Sequence, residues 1–257
     1  MQVKTLNRKA QARLPNKISR NVAFDDLSPI AFKLLLYIVY LWNQTRRDGQ
    51  MGSSPWGGEQ TITVTWAELA SRITPESRRG LEHGIYDTFR AALTQLVRVQ
   101  ISHTSFEGEK FKVREVYNLL AGWRYDEEEK AATILLHSKF ARILEIVAKG
   151  GDFTLVPLQD AFALSSTRQV RLLLWAASFV HIRSENIRTV SLQTFRDSLG
   201  FHGRYYEAWS RVKDDLWSHL KEVNKRTRYR VKLVPVKQGR EVVALRFDVM
   251  VKETANV

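Results

Sequence analysis

The chain has 257 residues, 44% of them hydrophobic and 26% charged, which fits one or two folded globular domains and excludes a disordered chain. It has no cysteine, so disulfides, thiolate metal sites and cysteine nucleophiles are excluded. The 40 basic residues against 27 acidic ones leave a formal charge of +13, spread over both halves, and such a surplus is the footprint of a polyanion, most often nucleic acid.

No apolar run approaches the ~20 residues that cross a bilayer, and the Met1 end has no apolar core of a secretory signal. A cytoplasmic protein with no membrane partner is expected. Residues 1–23 carry Lys4, Arg8, Lys9, Arg13, Lys17 and Arg20 and no acid. They read as a basic arm without apolar periodicity, either flexible and solvated or reaching a DNA backbone or minor groove. A first domain is expected over 24–151. Ser28 caps a helix with Pro29 in its first turn, which runs to about Trp42 and buries Leu34, Leu35, Ile38, Leu41 and Trp42. The Gly- and Ser-rich stretch Asn43–Gln60 is a mobile loop.

Thr61–Val64 alternates like a strand, and Thr65 with Glu68 forms a capping box for the helix WAELASRI. After a turn at Thr74-Pro75 comes a longer helix, Leu81–Arg98. Its apolar face holds Ile85, Phe89, Ala92, Leu93 and Leu96, and its opposite face holds Arg79, His83, Asp87, Arg90, Thr94 and Arg98. Val99–Phe106 and Lys110–Leu120 form a hairpin around Glu107-Gly108-Glu109. Asp126–Glu129 is an exposed turn, Ala131–Leu136 a strand, and a helix from His137-Ser138 ends at Gly150-Gly151.

A second domain is expected over 152–257. Phe153–Pro157 enters it as a strand, and a helix spans Leu158–Val180 with a possible break at Ser165-Ser166-Thr167. Ser191 caps a short helix with Leu192, Phe195 and Leu199 in its core; Gly200 ends it, and Gly203 permits a tight turn. The long helix that follows buries Tyr205, Ala208, Trp209, Val212, Leu216 and Val223, and a basic hairpin closes the stretch. Helix, turn, helix and hairpin are the outline of a winged helix-turn-helix.

The two halves echo each other: FKLLLYIVYLW and VRLLLWAASFV, then WAELASRI and LQTFRDSL, then a long helix and a hairpin. The expected fold is therefore α+β, two tandem winged helix-turn-helix domains related as an internal repeat.

In such a module the N-terminal turns of the second helix approach the bases, where Arg pairs with guanine and an acid accepts from cytosine. Candidate base contacts are Arg204, Tyr206, Glu207, Ser210 and Arg211. Candidate phosphate contacts are Lys213, Lys221, Lys225, Arg226, Arg228, Arg230, Lys232, Lys237 and Arg240, the last two at the wing tip; Arg228, Arg230 and Lys232 share one face of a strand. In the first domain Arg78, Arg79, His83 and Arg90 are weaker candidates. The bland alternative for each is a solvated face with local ion pairs. There is no phosphate-binding G-x-x-x-x-G-K-[ST] loop, and the six histidines lack metal-ligand spacing, so no catalytic residues, metal or cofactor are expected. Tyr205-Tyr206 keeps a nickase or relaxase as the remaining enzymatic reading, and a winged-helix transcriptional regulator is the other alternative.

The second half carries the run Leu164-Ser165-Ser166 through Arg171-Leu172-Leu173, then Glu222-Val223-Asn224, Lys237–Arg240 and Leu245-Arg246-Phe247. In this order and spacing they resemble the Rep initiators of iteron-containing plasmids: the first run looks like the helix that opens that family's second domain, and the others match its recognition helix, wing and last strand. The first half matches in layout. The resemblance implies a non-enzymatic bacterial protein that binds repeated double-stranded sites at a plasmid origin, mainly through the second domain. It also implies origin melting and recruitment of the host initiator and replicative helicase. A homodimer formed through the first domain would repress the protein's own gene.

Overall fold

The computed structural model describes residues 10–15, 27–47, 60–73, 82–107, 110–148, 153–180 and 187–252. The chain divides into two compact units. One covers Asp26–Gly151; the other joins Arg8–Asp25 to Asp152–Val257. Each is a mixed α+β assembly of helices and small sheets. Among the described residues no helix is long and apolar enough to cross a membrane.

The first unit is built on α1 (Pro29–Arg47). Ser28 Oγ accepts from the Ala31 amide at 3.2 Å, which satisfies one of the free donors of the first turn. The helix runs five residues past Trp42, because nothing in Asn43–Arg47 breaks a helix. Residues 31–39 are all buried, so α1 is enclosed and is not merely one-sided. That enclosure includes Lys33, whose ammonium is pulled down to about 8 by burial. Tyr37 donates to the Glu68 carboxylate, and this bond, after burial, raises its pKa.

Next come β2 (Gln60–Thr65) and α2 (Trp66–Ile73), the latter capped by Thr65 Oγ1 accepting from the Glu68 amide at 3.2 Å. In α3 (Glu82–Arg98) Phe89, Ala92, Leu93 and Leu96 are buried and Ile85 is half-buried. The hairpin of β3 (Gln100–Glu107) and β4 (Lys110–Asn118) stands as its own two-stranded ladder. Sequence reading carries the strand through to Leu120. Here the chain instead starts a further strand, β5 (Leu120–Asp126), which pairs with β6 (Ala131–Leu136). The sheet order is β2-β6-β5. The acidic turn between β5 and β6 is held by Asp126 Oδ1, which accepts from the amides of Glu128 and Glu129 at 3.0 Å each. Helix α4 (Ser138–Ala148) completes the unit.

The second unit opens with an unexpected strand. β1 (Gln11–Pro15) pairs antiparallel with β7 (Phe153–Pro157), so this part of the basic terminus is not a free arm. The signal was the alternation Ala10, Ala12, Leu14, all buried, which the dense charge around it obscured. Arg13 lies over the Phe153 ring, 5.2 Å from its centroid.

The long helix is two, α5 (Leu158–Ala163) and α6 (Thr167–Val180), separated at Leu164–Ser166. Gln169 Oε1 accepts from the Ser165 and Ser166 amides, and Ser166 Oγ accepts from the Gln169 amide, a reciprocal cap that restarts the helix. β8 (Ile187–Ser191), not read from the sequence, precedes α7 (Leu192–Leu199). α8 (Trp209–Arg226), β9 (Tyr229–Gln238) and β10 (Glu241–Val251) follow, with sheet order β8-β10-β9. Trp175, Phe179, Phe195, Phe247 and the buried faces of β9 and β10 form the core.

Several expectations lie outside the described residues: most of the basic terminus, the loop from 48 to 59, the turn at Thr74-Pro75, Gly108-Glu109 and Gly150-Gly151.

Candidate nucleic-acid interface

The segment between α7 and α8 is shaped by two glycines. Gly200 ends α7 at φ 70°, ψ 35°, and Gly203 follows at φ 86°, both in the left-handed region that disfavours a Cβ. Arg204–Tyr206 then forms a single 3₁₀ turn, and α8 starts only at Trp209 after an extended Ala208. This break corrects the helical wheel drawn from the sequence. Val212, Leu216 and Val223 are buried in α8, with Leu220, but Trp209 is half-buried and Ala208 exposed. Tyr205 is 56% exposed and not core, because the turn takes it out of phase with the helix.

Tyr206 faces inward. Its hydroxyl accepts from Arg168 Nη1 at 2.8 Å and donates to Asp215 Oδ2 at 2.7 Å. Its ring packs edge-on against Phe201 and Tyr205 at 5.0 and 4.9 Å. Burial and the bond to Asp215 raise its pKa, with Arg168 opposing, so it stays a protonated donor at neutral pH. Tyr206 therefore supports the surface instead of reading from it, while Tyr205 takes the outward place. Arg211 lies over the Tyr205 ring, 5.3 Å from its centroid. Arg204, Glu207, Ser210 and Arg211 are exposed. The Glu207 carbonyl accepts from Arg196 Nη2 at 2.8 Å, fixing the far end of the turn.

Farther along α8, Lys213, Lys221 and Lys225 are exposed. Trp217 is exposed beside the half-buried Trp209, their ring centroids 6.4 Å apart. Arg226 is exposed but pairs with Glu222 at 2.6 Å. At the wing tip Lys237 and Arg240 are exposed, flanking Gly239.

The strand cations are placed differently from those of α8. Arg228 donates from Nε to Asp160 Oδ2 at 2.9 Å, and its amide donates to the same oxygen at 3.2 Å. Asp160 is buried, so this pair anchors the root of the wing. Arg230 and Lys232 do share a face, but it is the outer one. Val231 and Leu233, between and beyond them, are buried on the face that meets the helices. Asn224 of α8 ties that side by exchanging bonds with the Val231 backbone at 2.9 and 2.7 Å. Arg230 and Lys232 thus lie across the sheet from α8. Arg246, opposite Val234 and Thr189 in register, is exposed on that same outer face; its alternation with Leu245 and Phe247 was the signal.

In the first unit, Arg78 and Arg79 lie outside the described residues. His83 lies in α3, and of its side chain nothing is described. Arg90 is exposed, 3.9 Å from Asp87 and over the Tyr125 ring at 5.3 Å. Among the described residues no group of three or more His, Asp or Glu is placed to hold a metal ion.

No family model and no curated protein matches the chain. Solved structures do. The chain is similar to the Pi initiator protein, whose crystal structure is a complex with iteron DNA: 17% identity, 97% of this chain and 100% of that one, TM-score 0.72. It is also similar to domains 2 and 3 of RctB: 12% identity, 86% of this chain and 82% of that one, TM-score 0.51. The chain thus shares a fold with these proteins, a mixed α+β arrangement of helices and small sheets consistent with winged-helix domains.

Proposed function

We propose that the chain is a plasmid replication initiator. It consists of two tandem winged helix-turn-helix domains related as an internal repeat, and it binds repeated double-stranded sites at an origin. The observation that carries this reading is the likeness of nearly the whole chain to an initiator crystallised with iteron DNA. The exposed turn before α8 and the first turn of α8 supply chemistry to match. Arg204 and Arg211 suit guanine edges, Glu207 suits a cytosine amino group, and Ser210 suits either. Lys213, Lys221, Lys225, Arg226, Lys237 and Arg240 suit the backbone on the same side and at the wing tip. Arg78, Arg79, His83 and Arg90 of the first unit make a lesser contribution, and that unit also forms the homodimer that represses the protein's own gene.

In this reading the protein is not an enzyme. It works in the bacterial cytoplasm by binding, helping to open the origin and recruiting the host initiator and replicative helicase. The test is footprinting on the DNA that flanks the gene in its native replicon. Evenly spaced protected direct repeats are expected. Protection of one inverted repeat alone would instead indicate a winged-helix regulator. Nicking of supercoiled plasmid with Mg²⁺, lost in Tyr205→Phe, would make it a nickase.

A further inference from the structure

We propose that Arg168, at the start of α6, is the positioning residue of this interface: it sets sequence selectivity without touching DNA, by clamping the turn that carries Arg204 and Tyr205 against the start of α8, which carries Arg211. The proposal rests on the DNA-binding reading above and deepens it. Both terminal nitrogens of the side chain bond inside the unit. Nη1 donates to the Tyr206 hydroxyl at 2.8 Å and Nη2 donates to the Gly200 carbonyl at 3.0 Å. The guanidinium lies over the Phe201 and Tyr206 rings, 4.5 and 4.9 Å from their centroids, and Asp215 Oδ2 on α8 is 3.7 Å from Nη1. One residue therefore joins the end of α7, the 3₁₀ turn and the second turn of α8.

The clamp continues outward by contact. Tyr206 supports the Tyr205 ring at 4.9 Å, and Arg211 lies over Tyr205 at 5.3 Å. The segment needs such a hold. Its glycines at Gly200 and Gly203 have positive φ, and a turn with that freedom does not fix side-chain directions by itself. Bidentate readout of a base edge tolerates little misplacement, whereas attraction to the backbone tolerates much. Loss of the clamp should therefore cost selectivity more than affinity. Only a planar, forked cation can bond along its edge while lying over rings, so lysine is not a substitute here.

The test uses the full chain and two duplexes, the repeat protected in the footprint and a scrambled duplex of equal length. For Arg168→Ala we expect the preference for the repeat to fall at least tenfold while scrambled-duplex binding changes less than threefold. Arg168→Lys should behave like Arg168→Ala, and Tyr206→Phe, which keeps the ring, should fall between them and wild type. Hydrogen exchange of the free protein supplies a DNA-independent arm. In Arg168→Ala the amides of Phe201, Tyr206 and Glu207 should exchange faster, while those of Leu216, Leu220 and Val223 stay protected, which also shows that the unit is folded. Unchanged selectivity, full rescue by lysine, or unchanged exchange in the turn would each overturn the proposal. If wild type itself shows no preference for a repeat, the DNA-binding reading fails instead, and the exchange arm alone decides whether the clamp exists.

Discussion

Each unit contains a run of helix, strand, helix, helix and hairpin, yet the two close their sheets differently. In the second unit β8 joins the hairpin that follows α8 directly, giving β8-β10-β9. In the first unit β2 passes over the hairpin that follows α3 and pairs with β6, leaving β3-β4 as a separate ladder. Their helix surfaces differ as well. α8 exposes Arg211, Lys213, Lys221, Lys225 and Arg226 with few acids among them. On the described outer face of α3, Arg90 is engaged by Asp87 and Tyr125. An order of elements thus reports how each segment folds locally, while the use of a surface depends on which strands meet and which charges are already occupied. The second unit is the stronger candidate for reading bases, and the first for support or self-association.

The sharpest way to break this contrast is to remove matched cations. Arg204→Ala with Arg211→Ala should lower affinity for a protected repeat by ~2–6 kcal/mol, taking ~1–3 kcal/mol for each lost bidentate contact. Arg90→Ala should cost under ~0.5 kcal/mol in the same titration, since its neighbours already hold it. Equal losses would end the division of labour between the units.

Stability should also divide by unit. Asp160→Ala leaves the Arg228 guanidinium and amide without their acceptor, so the second unit should lose ~1–3 kcal/mol in denaturant unfolding. The first unit's transition should stay in place. An effect of opposite sign is expected in the first unit. Lys33 titrates at about 8 when folded, below its ordinary 10.5, so above pH 8 the unfolded chain binds more protons. The first unit's stability should therefore rise from about pH 8 toward 10. Beyond that, Tyr37, held protonated by burial and Glu68, reverses the trend. Lys33→Met should flatten the rise. No pH dependence in this window would show that Lys33 keeps an ordinary affinity for its proton.

The smallest effect concerns the wing. Lys237→Ala with Arg240→Ala should reduce the slope of log affinity against log salt by about 2, at roughly 0.9 per released phosphate contact. Arg230→Ala with Lys232→Ala should leave it unchanged, because those cations lie on the far face of the sheet. A reduced slope in the second pair would mean that DNA wraps past the sheet edge.

By itself the sequence determined the kinds of element and most of their ends. Ser28, Thr65 and Ser191 cap the helices they precede, Gly200 ends one, and the periods of 3.6 and 2 mark core faces. Such signals are complete within a few consecutive residues. The basic character and the exposed cluster at Arg204, Glu207, Ser210 and Arg211 were legible for the same reason. Only the tertiary structure decided which strands pair: β1 with β7, and β2 with β6. It also decided which charges are spent. Arg228 meets Asp160 across 68 positions and Arg168 meets Tyr206 across 38, and no local pattern encodes a partner at that distance. Tyr205 and Tyr206 are adjacent in sequence and alike in chemistry. One became surface and the other support because a single turn of 3₁₀ helix, held from α6, rotated them apart.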